Sequence, residues 1–153
     1  MDAPIEPLID TPMDVAFACE RTVLAFTRGF DLGDAEAMAR HFAPDGVWRR
    51  QDGDIAGLAQ LAGFMRARHP GTFVRHVLSN LITTRLAEDR AVVDSCVTVY
   101  RRDFPGAPSL PAPMTGPQLV GRYRDELARD AHGAWRLARR EVHIDFKQKD
   151  PAP

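Results

Sequence analysis

The apolar residues of this chain change their spacing once, at Pro70-Gly71. Before that point they recur at three- and four-residue steps. Val15, Cys19, Val23, Phe26 and Phe30 form a stripe of roughly four turns along one helix face. After it they alternate in twos, the period of a strand with one dry face. A chain that lays down helices first and a run of strands second is restricted to an α+β architecture, with the helices covering one face of an antiparallel sheet. At 153 residues it holds material for one domain with one core.

The punctuation places the elements. Asp14 stands where it can cap the first helix, whose stripe ends at Asp31, before Leu32-Gly33. Asp34 is an N-cap for a short second helix, with Met38 and Phe42 one turn apart on its inner face. Pro44-Asp45-Gly46 reads as a turn, Val47–Arg50 as a short strand and Gln51–Asp54 as a polar turn. A third helix fits about residues 57–68, with Leu58, Leu61, Met65 and Arg68 on one side, and stops at Pro70-Gly71. Thr72–Arg85 and Ala91–Arg101 are long strands around a turn at Glu88-Asp89. Asp103–Gln118 holds five prolines and two glycines, so it is a loop. That loop is either plain surface or a lid, with Leu110 and Met114 apolar enough to close on a greasy ligand. Leu119–Leu127 and Trp135–Phe146 form a final hairpin. The domain thus spans 13–147, between a loose N-terminal arm (1–12) and a C-terminal tail (148–153).

The last strand is irregular. Trp135 and Leu137 are apolar at odd positions, whereas Val142, Ile144 and Phe146 are apolar at even ones. Either a β-bulge sits between Ala138 and Glu141, or both sheet faces are partly buried, the outer one by another subunit. Both alternatives let Arg140 point inward with Val142.

Several function classes are excluded. The net charge is −1 and the arginines are interleaved with acids, so no footprint for nucleic acid exists. Cys19 and Cys96 are too few and too far apart for a disulfide framework or a zinc site, and read as buried free thiols. No histidine pair has metal-ligand spacing, and there is no phosphate loop and no GxSxG elbow. No metal or organic cofactor is expected. The N-terminus is no signal peptide and no apolar run spans a bilayer, so the chain reads as soluble and cytoplasmic, without a membrane partner. His41, His69 and His132 fall at a helix end or in turns, and His143 falls on a polar face; all four read as solvated.

One histidine is different. In TFVRHVLSN (72–80), Val74, His76, Leu78, Asn80 and Ile82 share one face of the strand, and the aliphatic members mark it as dry. An unmade hydrogen bond there costs roughly 1–3 kcal/mol, so His76 needs a partner or a wet cavity. A backbone carbonyl or Asn80 would satisfy it. So would Asp31, which a helix packed across the sheet can deliver. An Asp–imidazole pair fixes the tautomer, the standard preparation of a general base.

Three stretches resemble the SnoaL-like branch of the nuclear transport factor 2-like superfamily: LAFTRGFDLGDAEAMARHFAPDGVW (24–48), FVRHVLSNLIT (73–83) and VGRYRDELARDAHGAWRLARREVHIDF (120–146). The resemblance implies a cone of three helices against a strongly curved antiparallel sheet, with a pocket at the open end, and a homodimer or homotrimer through the sheet's outer face. Scytalone dehydratase-like enzymes, bile-acid dehydratase-like enzymes and a dehydrochlorinase in this branch use an Asp–His dyad to eliminate water or HCl. Asp31 and His76 match its positions, and Arg140 matches an arginine that lines the pocket in some of them. The implied activity is that of a lyase or isomerase acting on a hydrophobic, carbonyl-containing small molecule. Phe26, Phe30, Trp48 and Met65 would form the apolar walls, with Asn80, Tyr123 and Arg140 as polar contacts. Where the dehydratases carry a polar group about one turn before the Asp, this chain reads Phe26-Thr27-Arg28-Gly29-Phe30; Phe26 and Phe30 have no proton to give, which leaves Thr27, Tyr123, Arg140 or the imidazolium itself for that role. The same superfamily includes the β-subunits of ring-hydroxylating dioxygenases, so a binding or scaffolding role is the alternative.

Overall fold

The computed structural model describes residues 11–149. The arm expected over 1–12 and the tail over 148–153 lie outside the described residues, apart from positions 11, 12, 148 and 149. The elements are α1 (Met13–Leu32), α2 (Ala35–His41), β1 (Phe42–Arg49), β2 (Ile55–Ala56), α3 (Gly57–Arg66), β3 (Thr72–Ala87), β4 (Arg90–Asp103), β5 (Leu119–Arg129) and β6 (Trp135–Lys147). The strands form one sheet in the order β2-β1-β6-β5-β4-β3. All neighbours are antiparallel except β1 and β6, which run parallel, so the sheet is mixed where a wholly antiparallel one is expected.

The stripe of α1 seats the helix on this sheet. Cys19, Val23 and Phe26 are fully buried, and Phe30 at its end is half-buried. Phe26 joins Met38, Phe42, Trp48, Leu61, Met65 and Leu137 in the largest core cluster, which welds all three helices to β1 and β6. Several boundaries differ from expectation. Pro12, not Asp14, is the N-cap of α1, and Asp14 sits in the first turn, where an acid faces the positive end of the helix dipole. Asp34 does cap α2, its Oδ1 accepting from the Ala37 amide at 2.9 Å. Phe42 opens β1 rather than closing α2, and the expected turn at Pro44–Gly46 is an irregular stretch inside β1. α3 ends at Arg66, which leaves Arg68 outside the helix, and Leu58 is exposed.

Bulges curve the sheet. In β3, Ser79 pairs with Cys96 and Ile82 with Asp94, so Asn80 and Leu81 oppose one residue. Asn80 takes the left-handed conformation, φ 53°. The dry face consequently changes parity: Val74 is buried and His76 and Leu78 half-buried, but Thr83 is buried beyond the bulge while Ile82 is exposed. The slip in β6 is likewise a bulge. Leu127 pairs with Leu137 and Glu126 with Arg139, which makes Ala138 the extra residue and turns Arg140 inward at 1 % exposure.

A second irregularity in β6 leaves Asp145 unmatched, between Val120↔Phe146 and Gly121↔Ile144. There the strands approach so closely that a Cβ on Gly121 would lie 2.2 Å from the His143 carbonyl oxygen. Gly121→Ala is therefore expected to lower unfolding stability by about 1–3 kcal/mol in urea denaturation. Gly106→Ala, where a Cβ meets nothing within 4 Å, is expected to stay within about 0.5 kcal/mol of the parent.

Candidate active site

The C-terminus of α1 places Asp31. Gly33 adopts φ 72°, and the Gly33 and Asp34 amides donate back to the Phe30 and Gly29 carbonyls at 3.1 and 2.8 Å. This is a Schellman ending, and it stops the helix one residue after Asp31. No basic residue lies in the last turn of α1. Arg68 supplies the missing positive charge from outside, its guanidinium donating to the Phe30 carbonyl and, at 3.1 Å, to the Thr72 carbonyl at the start of β3. The helix end and the strand start are thereby held in one register.

β3 is the edge of the sheet. The His76 amide is satisfied by Asp31 Oδ2 at 2.9 Å, while Asp31 Oδ1 accepts from His76 Nδ1 at 2.6 Å. One carboxylate thus holds both backbone and ring of the same residue. The pair is largely withdrawn from solvent, with side-chain exposures of 8 % for His76 and 11 % for Asp31. An ionised Asp31 is an acceptor only, which puts the imidazole proton on Nδ1 and leaves Nε2 with its lone pair. The ring meets Phe30 edge-on, centroids 5.3 Å apart.

His76 and Asp31 line a recess of about 370 Å³ between α1 and β3, together with Thr27, Leu78, Arg28 and Arg75. No residue of the proline-rich loop lines it, so the loop is no lid here. Arg28 and Arg75 form no ion pair among the described residues. The sequence reading passed over both. Their signals were spacing: Arg28 lies three residues before Asp31 on the helix surface, and Arg75 adjoins His76 on an edge strand. On the other side of Asp31, Met65 and Arg68 border a second recess of about 400 Å³.

The remaining expected contacts are placed differently. Asn80 is carried to the outer face by its bulge, where its amide lies 3.8 Å from Cys96 Sγ, so it is not part of this site. Phe26 and Trp48 are packed in the core and do not line the His76 recess. Phe30 bridges the core to His76, stacking on Phe64 and meeting Trp48 edge-on. Tyr123 is buried among Val74, Val97 and Val99, and burial pushes its phenol up to about 12, so it stays protonated. Arg140 is spent. Its Nε and Nη2 donate to Asp125 at 2.7 and 2.8 Å, its Nη1 donates to Thr27 Oγ1 at 3.2 Å, and its guanidinium lies over the Tyr123 and Phe26 rings. Burial opposes its charge, and the Asp125 carboxylate more than offsets that, holding its pKa above the ordinary guanidinium value. Arg140 is thus a strut joining β6, β5 and α1 and not a free pocket cation. Among the described residues no cluster of three metal-ligating side chains occurs, and no helix is long and apolar enough to cross a membrane.

The family follows from this frame. The model of the SnoaL-like domain matches residues 17–141, which contain both members of the Asp–His pair, and the chain belongs to that family. Its fold is the nuclear transport factor 2-like cone, and solved structures share it. A Mycobacterium tuberculosis protein of unknown function has TM-score 0.73 at 21 % identity, over 88 % of this chain and 78 % of that one. A scytalone dehydratase-like protein from Novosphingobium aromaticivorans has TM-score 0.70 at 21 % identity, over 92 % and 91 %. A ketosteroid isomerase-like protein from Erwinia carotovora atroseptica has TM-score 0.66 at 16 % identity, over 86 % and 96 %. At such identities the likeness concerns the fold. No curated protein matches the sequence.

Because Arg140 and Asp125 are both fully buried, removing one strands the other. Asp125→Ala is expected to cost about 3–5 kcal/mol in chemical denaturation, and Asp125→Leu/Arg140→Met to recover most of that loss.

Proposed function

We propose that the chain is an enzyme whose general base is His76, a lyase or isomerase acting on a hydrophobic carbonyl compound. The single observation that carries the reading is the double acceptance by Asp31, which fixes the imidazole in backbone and ring and leaves Nε2 for substrate. The SnoaL-like family and its dehydratase-like and isomerase-like neighbours support the same class.

In this reading His76 Nε2 takes a proton from the carbon next to the carbonyl. The C–H electron pair moves into the new C=C bond and the carbonyl π pair onto oxygen. Asp31 stabilises the imidazolium that forms. Arg28, which lines the recess and forms no ion pair among the described residues, holds the developing oxyanion in place of Arg140 and Asn80, with Arg75 at the rim, its guanidinium over Phe73. With no proton on Phe26 or Phe30, the Thr27 hydroxyl donating to the Val23 carbonyl and Arg140 committed to Asp125, the acid of the second half-step is the imidazolium itself. Returned to a different carbon, its proton completes an isomerisation. Given to a β-hydroxyl as the C–O bond breaks, it completes a dehydration with release of water.

A second reading rests on the filling of the cone. Phe26, Trp48, Met65, Leu61 and Leu137 form a continuous core where a substrate chamber is expected, which favours a subunit that supports another chain. Trimer formation and co-purification with an iron-bearing oxygenase subunit would mark that role.

The test is deuterium exchange at carbon. Aromatic, steroid and polyketide-like ketones are incubated with the protein in D2O and followed by proton NMR. His76→Ala is expected to slow enzyme-dependent exchange by about 10²–10⁴-fold, and Asp31→Asn to slow it less while shifting the His76 ring ¹⁵N resonances. Exchange undiminished in His76→Ala overturns the assignment.

A further inference from the structure

A concavity larger than the His76 recess lies on another face of the molecule. Residues 110–116 overhang the outer face of the β3–β4 hairpin and, with Gln148, border about 610 Å³. The floor is a two-by-two pattern set by register: Phe73 pairs with Arg102 and Arg75 with Tyr100. These side chains share the face opposite Val74 and His76. The roof is the loop, with Leu110 and Met114 facing the space. Both tip residues are largely exposed, at 59 % and 64 %, so the vault is open to a ligand rather than collapsed on itself.

The charge of the vault is one-sided. Three arginines line it and no acid does. Arg101 is neutralised by Asp103, with contacts of 3.1–3.2 Å. Arg102 and Arg75 have no carboxylate among the described ion pairs. They lie diagonally across neighbouring strands, a spacing of roughly 7–8 Å at the backbone, close enough for both guanidiniums to reach one anionic group. Arg75 already covers the Phe73 ring, its guanidinium carbon 4.4 Å from the centroid. Arginine beside aromatic faces, under a proline-rich apolar roof, matches a flat apolar body that ends in a carboxylate.

We propose that this vault is a second small-molecule site, distinct from the His76 recess, that binds aromatic or polycyclic carboxylates with Arg102 as the anion contact. Arg75 lines both cavities. Occupancy of the vault therefore touches a residue of the proposed catalytic recess, although binding itself requires no catalysis there.

The methionines report the location. Met114 lines the vault and Met65 borders the recess beside Asp31. The protein carries ¹³C-methyl methionine, its lines are assigned with Met114→Leu and Met65→Leu, and 2-naphthoate is titrated by NMR, with 2-naphthylmethanol as the neutral control. Naphthoate is expected to shift the Met114 line and leave Met65 in place, and to bind at least fivefold more tightly than the alcohol. Arg102→Gln, a change at an exposed position, is expected to weaken naphthoate by about fivefold or more and leave the alcohol unchanged. The proposal is overturned if naphthoate shifts Met65 rather than Met114, or if Arg102→Gln binds it as tightly as the parent. A Met114 line that moves with protein concentration and not with naphthoate gives the vault to a second copy of this chain, and equally overturns it.

Discussion

A single carboxylate at the end of α1 determines how helix and sheet meet. Asp31 accepts from the amide and the ring of His76 at once, so the first helix cannot slide along the edge strand without breaking both bonds. Arg68 reinforces the same junction from the far side by donating to carbonyls of α1 and β3. Each contact solves a structural problem: an unpaired amide on an edge strand, and unsatisfied carbonyls at a helix terminus. The same contacts leave an oriented imidazole beside a recess. The candidate site and the fold here draw on one set of hydrogen bonds.

The second organising element is buried rather than exposed. Arg140 and Asp125 form an ion pair inside the cone, roofed by Thr27 of α1 and flanked by Phe26 and Tyr123. Two charges are tolerated there because each guanidinium nitrogen has an acceptor and both carboxylate oxygens have a donor. The cost falls on function. An arginine so completely engaged has little left for a ligand, and the proposed mechanism therefore leaves the oxyanion to Arg28 at the recess.

Periodicity made most of the architecture legible. The α1 stripe, the Asp34 cap, the break at Pro70-Gly71 and the two long hairpin strands follow from side-chain spacing and turn chemistry, because both are local. The bulges were only half legible. In β6 the sequence shows the phase slip itself, since Leu137 and Val142 are both apolar and five residues apart. In β3 no such sign exists: Asn80 and Ile82 continue the alternation, and only the left-handed backbone at Asn80 reverses it. By alternation alone Asn80 looks like a pocket ligand, whereas its tolerance of positive φ lets it bend the strand. The pairing of Asp31 with His76 was readable as a possibility from spacing and gained weight from resemblance. The commitment of Arg140 to Asp125 was not readable, because those two meet across strands through a register that the bulge sets.

The exposed border of β3 is engaged by side chains at both ends. Arg68 takes the Thr72 carbonyl, Arg75 the Val74 carbonyl, Asp31 the His76 amide and, past the bulge where the parity changes, Thr11 the Arg85 amide. At the opposite border stands β2, only two residues long. One margin is thus interrupted at both ends and the other is very short, two of the devices by which sheets discourage further strands from adding. The contacts that orient the imidazole therefore also interrupt the edge at which a further strand would pair.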